Sequence, residues 1–169
     1  ESLVKPQSGA FPAMNLRSIS ILGFLLGISL HTPTSADTPP PAKYPEPRFE
    51  AAIQAYEDQD RKQFPPPHAI VAYGSSSLLL WHENIREDLA PLTIIPRGFG
   101  GSNMYEALHY ADRIALNYKP RAILIYEGDN DLAQGIPPET IRDTFLELVA
   151  RIHTALPETK IYILSIKPS

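Results

Sequence analysis

The sequence predicts an α/β domain built on a parallel sheet, and three observations carry that prediction. Four short apolar runs, Ile70 to Tyr73, Leu92 to Pro96, Ala122 to Tyr126 and Ile161 to Ile166, are continuous rather than alternating, as strands buried on both faces are. Between them lie segments whose apolar residues recur at helical spacing. The first three runs each leave through a turn rich in Gly, Ser, Asn or Asp: G-S-S-S at Gly74 to Ser77, G-F-G-G-S at Gly98 to Ser102 and G-D-N-D at Gly128 to Asp131. Right-handed crossovers gather such strand-to-helix turns at one carboxyl edge of the sheet.

With 169 residues, 43% hydrophobic and 20% charged, the chain suits one soluble domain with a single core. A net charge of -4 leaves no basic footprint for nucleic acid. The absence of Cys excludes disulfides, thiolate metal sites and a cysteine nucleophile. The 18 prolines concentrate at Pro39 to Pro47 and Pro65 to Pro67, where they mark a tether and a stop.

In chain order, Met14 opens the basic start M-N-L-R, followed by the apolar run Ile19 to Leu30 and a small-residue ending at Thr34 to Ala36. That pattern is a secretory signal peptide over residues 14–36, and the run is shorter than the roughly 20 residues a bilayer span needs. Residues 1–13 then read as an upstream extension, and the mature chain is expected to be secreted or periplasmic, without a stable membrane span. Residues 37–48 form a Pro-rich linker, and the domain is expected from Phe49 to Ser169. Phe49, Ile53 and Tyr56 predict a helix that Pro65 ends. After the serine turn, Leu78 to Trp81 reads as a short helix fading into a charged loop. Asn103 with Glu106 makes a capping box ahead of the stripe Met104, Ala107, Leu108, Ala111 and Ile114. Pro137 and Pro138 open a last helix with Ile141, Phe145, Leu148 and Ile152 on one side.

The three turns read together suggest acyl transfer, which needs a nucleophile, a base and donors aimed at an oxyanion. The first turn offers the hydroxyls of Ser75, Ser76 and Ser77; the second offers backbone N–H groups at Gly100 and Gly101, where no Cβ blocks approach. The third offers the carboxamide of Asn130, a neutral donor. Single-turn alternatives fit less well. Asn103 stands at the third glycine of a G-x-G-x-x-G phosphate loop, and Leu78 at the last glycine of a G-x-S-x-G elbow. Asp129 to Asp131 lacks the spaced oxygens and distal Glu of a calcium loop.

In order and spacing these turns resemble blocks one, two and three of the SGNH hydrolases, also called GDSL-type esterases, over roughly Pro66 to Ser169. The resemblance implies a flavodoxin-like three-layer α/β/α sandwich with a parallel sheet. It implies Ser76 as nucleophile, with Ser75 where the family name has Asp, and an oxyanion held by the Gly101 N–H and the Asn130 side chain. It implies no metal or organic cofactor, and a small-molecule, glycan or lipid ester as substrate. The family's Asp and His come from a late D-x-x-H block after a fifth strand, and no D-x-x-H occurs here. Of His31, His68, His82, His109 and His153, none follows a late strand, and each reads as a surface or core residue; His82, nearest Ser76, is the one to test. The expectation is therefore a chain that stops before its last strand and helix, with little hydrolase activity as given, while the complete gene product is an esterase. The competing expectation is a non-catalytic secreted carbohydrate- or ligand-binding module of the same fold. A nucleotide binder would need a Lys or Thr-rich cradle, which G-S-S-S-L-L-L lacks.

Overall fold

The computed structural model describes residues 45–166. The expected signal peptide, the extension before it and most of the Pro-rich linker lie outside the described residues. Four strands, β1 (Ile70–Gly74), β2 (Ile94–Gly98), β3 (Ala122–Tyr126) and β4 (Lys160–Ile163), pair in parallel in the order β2-β1-β3-β4. The helices are α1 (Glu50–Lys62), α2 (Ser76–Trp81), α3 (Ile85–Asp88), α4 (Met104–Ile114), α5 (Asp129–Ala133) and α6 (Pro138–Ala155).

Alternate strand residues divide the core into two faces, as the two-residue period of a strand requires. Val71, Tyr73, Ile95, Ile123 and Ile125 pack with Ile53 of α1, Tyr110 and Ile114 of α4, and Leu148 and Ile152 of α6. Ala72, Ile94 and Tyr126 turn the other way, onto Leu78 of α2 and Ile85 of α3. The result is the expected three-layer sandwich, with each fully buried Ile or Leu contributing on the order of 1.5–3 kcal/mol. On the α2 side, Ile70, Leu89, Leu92, Leu124 and the exposed Tyr162 line an open groove of about 440 Å3. No helix among the described residues is long and apolar enough to cross a membrane.

Four elements depart from the sequence-based expectation. The second strand begins two residues later, because the Leu92 N–H closes a turn onto the Leu89 carbonyl at 2.9 Å, and it runs on through Gly98. Gly98 is thus a packing residue of the strand: a Cβ there would lie 2.4 Å from the Leu79 backbone nitrogen, so α2 crosses β2 at backbone contact. The fourth strand is shorter, ending at Ile163. The helices α3 and α5, four and five residues long, are too short to show a helical stripe in the sequence.

Arg97 is a buried charge that the sequence reading passed over as part of a turn. Its guanidinium donates to Asp60 at 2.5 Å, to the Tyr118 hydroxyl at 2.7 Å and to the Pro96 carbonyl at 2.8 Å, and Tyr118 in turn donates to Asp60 at 2.5 Å. Through Asp60 the pair ties α1 to the strand that enters the second turn.

The contact at Gly98 yields a test. Gly98→Ala is expected to destabilise the domain by about 1–3 kcal/mol, the usual cost of overpacking, read as a lower urea midpoint. A loss under about 0.5 kcal/mol would mean that α2 has room to move away.

Candidate active site

The three turns leave the sheet at one level because Gly74 lies opposite Gly98 on one side and Tyr126 on the other. Gly74 has φ +142, and a Cβ on it would sit 2.2 Å from the Tyr126 carbonyl oxygen, so only glycine fits. Past it, the Ser75 N–H donates to the Tyr126 carbonyl at 3.0 Å, and the Ser75 carbonyl accepts from Leu78 and Leu79 to start α2. Ser75 is fully buried, its hydroxyl pointing at Asp129 Oδ1 at 3.4 Å. Ser76 is the first residue of α2 and is half-buried. Among the described residues its hydroxyl has no hydrogen-bond partner, and it is the reachable serine of the pair.

The second turn folds over the first. The Phe99 N–H donates to the Gly74 carbonyl at 2.8 Å, and a Cβ on Gly100 would lie 3.8 Å from Ser76 Cβ and 3.0 Å from Leu79 Cδ2. Gly101 follows at φ +89, and its carbonyl accepts from Arg48 at 2.9 Å. Its N–H has no acceptor among the described residues. Arg48 also grips Glu106 through Nε at 3.0 Å and its terminal nitrogen at 2.9 Å. Glu106 completes the expected capping box, in which Asn103 Oδ1 accepts the Glu106 N–H at 3.0 Å and Glu106 accepts the Asn103 N–H at 3.1 Å.

The third turn closes the ring. Gly128, at φ +116, opens α5, and the Asn130 amide nitrogen donates to the Ser102 carbonyl at 2.8 Å. A primary amide has two N–H donors, so a second remains for a ligand. Asp131 is fully buried and accepts the Met104 N–H at 3.0 and 3.1 Å, where it meets the positive end of α4. Asp129 accepts from the Asn130 N–H at 3.0 Å and the Tyr126 hydroxyl at 3.3 Å. These two carboxylates thus serve N–H and O–H donors, and the described residues contain no acidic or histidine cluster suited to a metal ion.

The structure therefore brings the second turn beside Ser76 at Gly100 and joins it to Asn130 through Ser102. Among the described residues no histidine hydrogen-bonds Ser76. His82 is half-buried, its ring stacked on Tyr56 at a centroid distance of 6.3 Å, and burial, then the nearby Arg86, pushes its pKa down. His68, His109 and His153 are exposed.

Sequence reasoning missed Glu127, which it treated as the exit of a strand. The residue is 4% exposed, and its Oε1 accepts the Ser102 hydroxyl at 2.5 Å, while Oε2 has no partner among the described residues. Burial raises its pKa well above the carboxylate range, against the Ser102 hydrogen bond, and Asp131, Asp129 and Glu106 push the same way. The one signal in the sequence was an acidic residue set between the apolar strand Ala122 to Tyr126 and a glycine.

Residues 70–169 match the GDSL-like Lipase/Acylhydrolase family. The chain belongs to that family. Solved structures agree on the fold. A Streptococcus pneumonia protein described as a candidate platelet activating factor superposes with a TM-score of 0.62 at 21% identity, covering 70% of this chain and 55% of that one. A GDSL-like lipase from Bacteroides thetaiotaomicron gives 0.62 at 18% identity, with 70% and 60% covered. The SGNH-hydrolase family esterase AlinE4 gives 0.51 at 17% identity, with 62% and 61% covered. The GDSL-like chain thus spans a little over half the length of these structures. A comparison with curated protein sequences finds no match.

Glu127 sets a pH dependence. Folded Glu127 keeps its proton to higher pH than an unfolded glutamate, which titrates near pH 4.3. The stability of the buried acid is then full below that pH and is lost as pH rises through the raised folded-state value. Glu127→Gln, neutral throughout, is expected to gain on the native protein in melting temperature as pH climbs from about 4.3 toward 8. Parallel curves would show that the carboxyl titrates alike in both states.

Proposed function

We propose that this GDSL-like protein is a carboxylic ester hydrolase in which Ser76 is the nucleophile. The observation that carries the reading is the ring of turns around one half-buried hydroxyl: Gly100 against Ser76, and Asn130 bonded to the Ser102 carbonyl at 2.8 Å. Ser76 Oγ attacks the ester carbonyl while its proton passes to a general base, and the carbonyl oxygen becomes an oxyanion. The backbone N–H groups of Ser76 and Gly101 and the second N–H of Asn130 receive that charge. Collapse expels the alcohol, and water then releases the acid from Ser76.

None of the described carboxylates or imidazoles hydrogen-bonds Ser76 Oγ, and the 169 residues contain no D-x-x-H. The base is assigned to such a block supplied from outside these residues, as the family resemblance implies. The signal-peptide pattern at residues 14–36 supports action outside the cytoplasm. The unpartnered Ser76 hydroxyl equally favours a second reading, a non-catalytic binding module for a carbohydrate or other ligand.

Hydrolysis of p-nitrophenyl acetate separates the two. The full-length gene product is expected to turn it over, Ser76→Ala to abolish this, and Asn130→Ala to lower kcat roughly 10²–10³-fold. The 169-residue chain alone is expected to be slower by several orders of magnitude. Turnover of the full-length protein that survives Ser76→Ala would remove the hydrolase reading.

A further inference from the structure

The carboxamide of Asn130 sits on a helix of five residues and is half-buried, so nothing in α5 alone fixes which way its amide points. Its orientation is set by one hydrogen bond, to the carbonyl of Ser102 at 2.8 Å. That carbonyl is in turn only as fixed as Ser102 itself. Ser102 is fully buried in a turn whose two preceding residues are glycines, and its own N–H bond to Phe99 is long at 3.3 Å. The short contact is on the side chain, where the hydroxyl donates to Glu127 Oε1 at 2.5 Å.

Glu127 is an expensive way to hold one serine. A carboxyl that is 4% exposed with Oε2 unpartnered is a net cost, because a buried polar atom without a partner loses its hydration uncompensated. It borders, with Met104, Ile141, Phe145, Leu164 and Ile166, a largely apolar groove of about 440 Å3. A group retained at such a cost, one hydrogen bond removed from the residue that aims the third turn, is better explained by geometry than by stability.

We infer that Glu127 is a positioning residue that acts through Ser102 to hold the Asn130 amide in its oxyanion-facing orientation, an inference that rests on the hydrolase reading above. Ser102 Oγ is the donor in this link, so what Glu127 must supply is an acceptor oxygen at that point and not a charge. Burial that favours the protonated carboxyl is compatible with this, since the carbonyl oxygen of a neutral acid still accepts. A glutamine, whose carbonyl oxygen can take the same place, should therefore substitute, and an alanine should not.

The test uses the full-length protein with Glu127→Ala, Glu127→Gln and Ser102→Ala, each alone and with Asn130→Ala. Ser102→Ala keeps the backbone carbonyl and removes only the link, so it serves if Glu127→Ala fails to fold. Glu127→Ala and Ser102→Ala are expected to lower kcat for p-nitrophenyl acetate roughly ten- to a hundredfold with KM nearly unchanged, and Glu127→Gln to stay within about threefold of the native rate. In the Asn130→Ala background the same changes should cost less than about twofold, because the group they aim is gone. Multiplicative losses in that background, a change in KM alone, or a Glu127→Gln variant as slow as Glu127→Ala would overturn the inference. An NMR readout of the Asn130 side-chain amide keeps it separate from the hydrolase reading. That resonance is expected to move in Ser102→Ala and stay in Glu127→Gln whether or not the protein turns over ester, and an unmoved resonance in Ser102→Ala would refute the positioning role.

Discussion

The in-register pairing of β1 with both neighbours is the constraint on which the site depends. Because Gly74 faces Gly98 and Tyr126 at the same level, three turns remote in sequence begin from one plane. Backbone hydrogen bonds then carry the sheet one step past its formal end, from Ser75 to Tyr126 and from Phe99 to Gly74. A slip of one residue on either side would reverse which strand residues face α1, α4 and α6, turning Val71 and Tyr73 onto the α2 layer, where Ala72 now fits. The hydrophobic core and the geometry at Ser76 are therefore set by the same register, and neither can change alone.

Above that edge the material changes from apolar to polar. Asp131 holds the first N–H of α4, the Asn103 side chain holds the third, that of Glu106, and Ser102 joins Asn130 to Glu127. Each bond is worth only about 1 kcal/mol to stability. Their joint effect is directional, because each fixes the orientation of a peptide or amide, which is what the proposed hydrolysis would ask of donors to an oxyanion. Glycines at 74, 98 and 100 let these layers approach closely, since a Cβ at any of them would press on a neighbouring turn or helix.

Much of this was legible in the sequence, and for physical reasons. Continuous apolar runs gave the parallel sheet, the Asn103 and Glu106 spacing gave the capped helix, and Gly74, Gly101 and Asn130 stood out because turns at strand ends need such residues. Less visible were groups whose meaning comes from distant partners. Arg97 reads as part of a turn until Asp60 and Tyr118, remote in sequence, are seen to surround it. Glu127 reads as a polar strand exit until burial is known. The edges of β2 and the short helices α3 and α5 also escaped, since turn closure at Leu92 and packing at Gly98 override the local pattern. No histidine signal was legible because none of the described histidines serves Ser76.

Arg48 lies two residues before α1 in the chain. Its guanidinium spans the Glu106 carboxylate and the Gly101 carbonyl, so the segment leading into α1 is pinned directly to the peptide next to Ser102. A shift of that leading segment would therefore be passed to the Gly101 peptide through a single guanidinium, alongside the covalent route into α1.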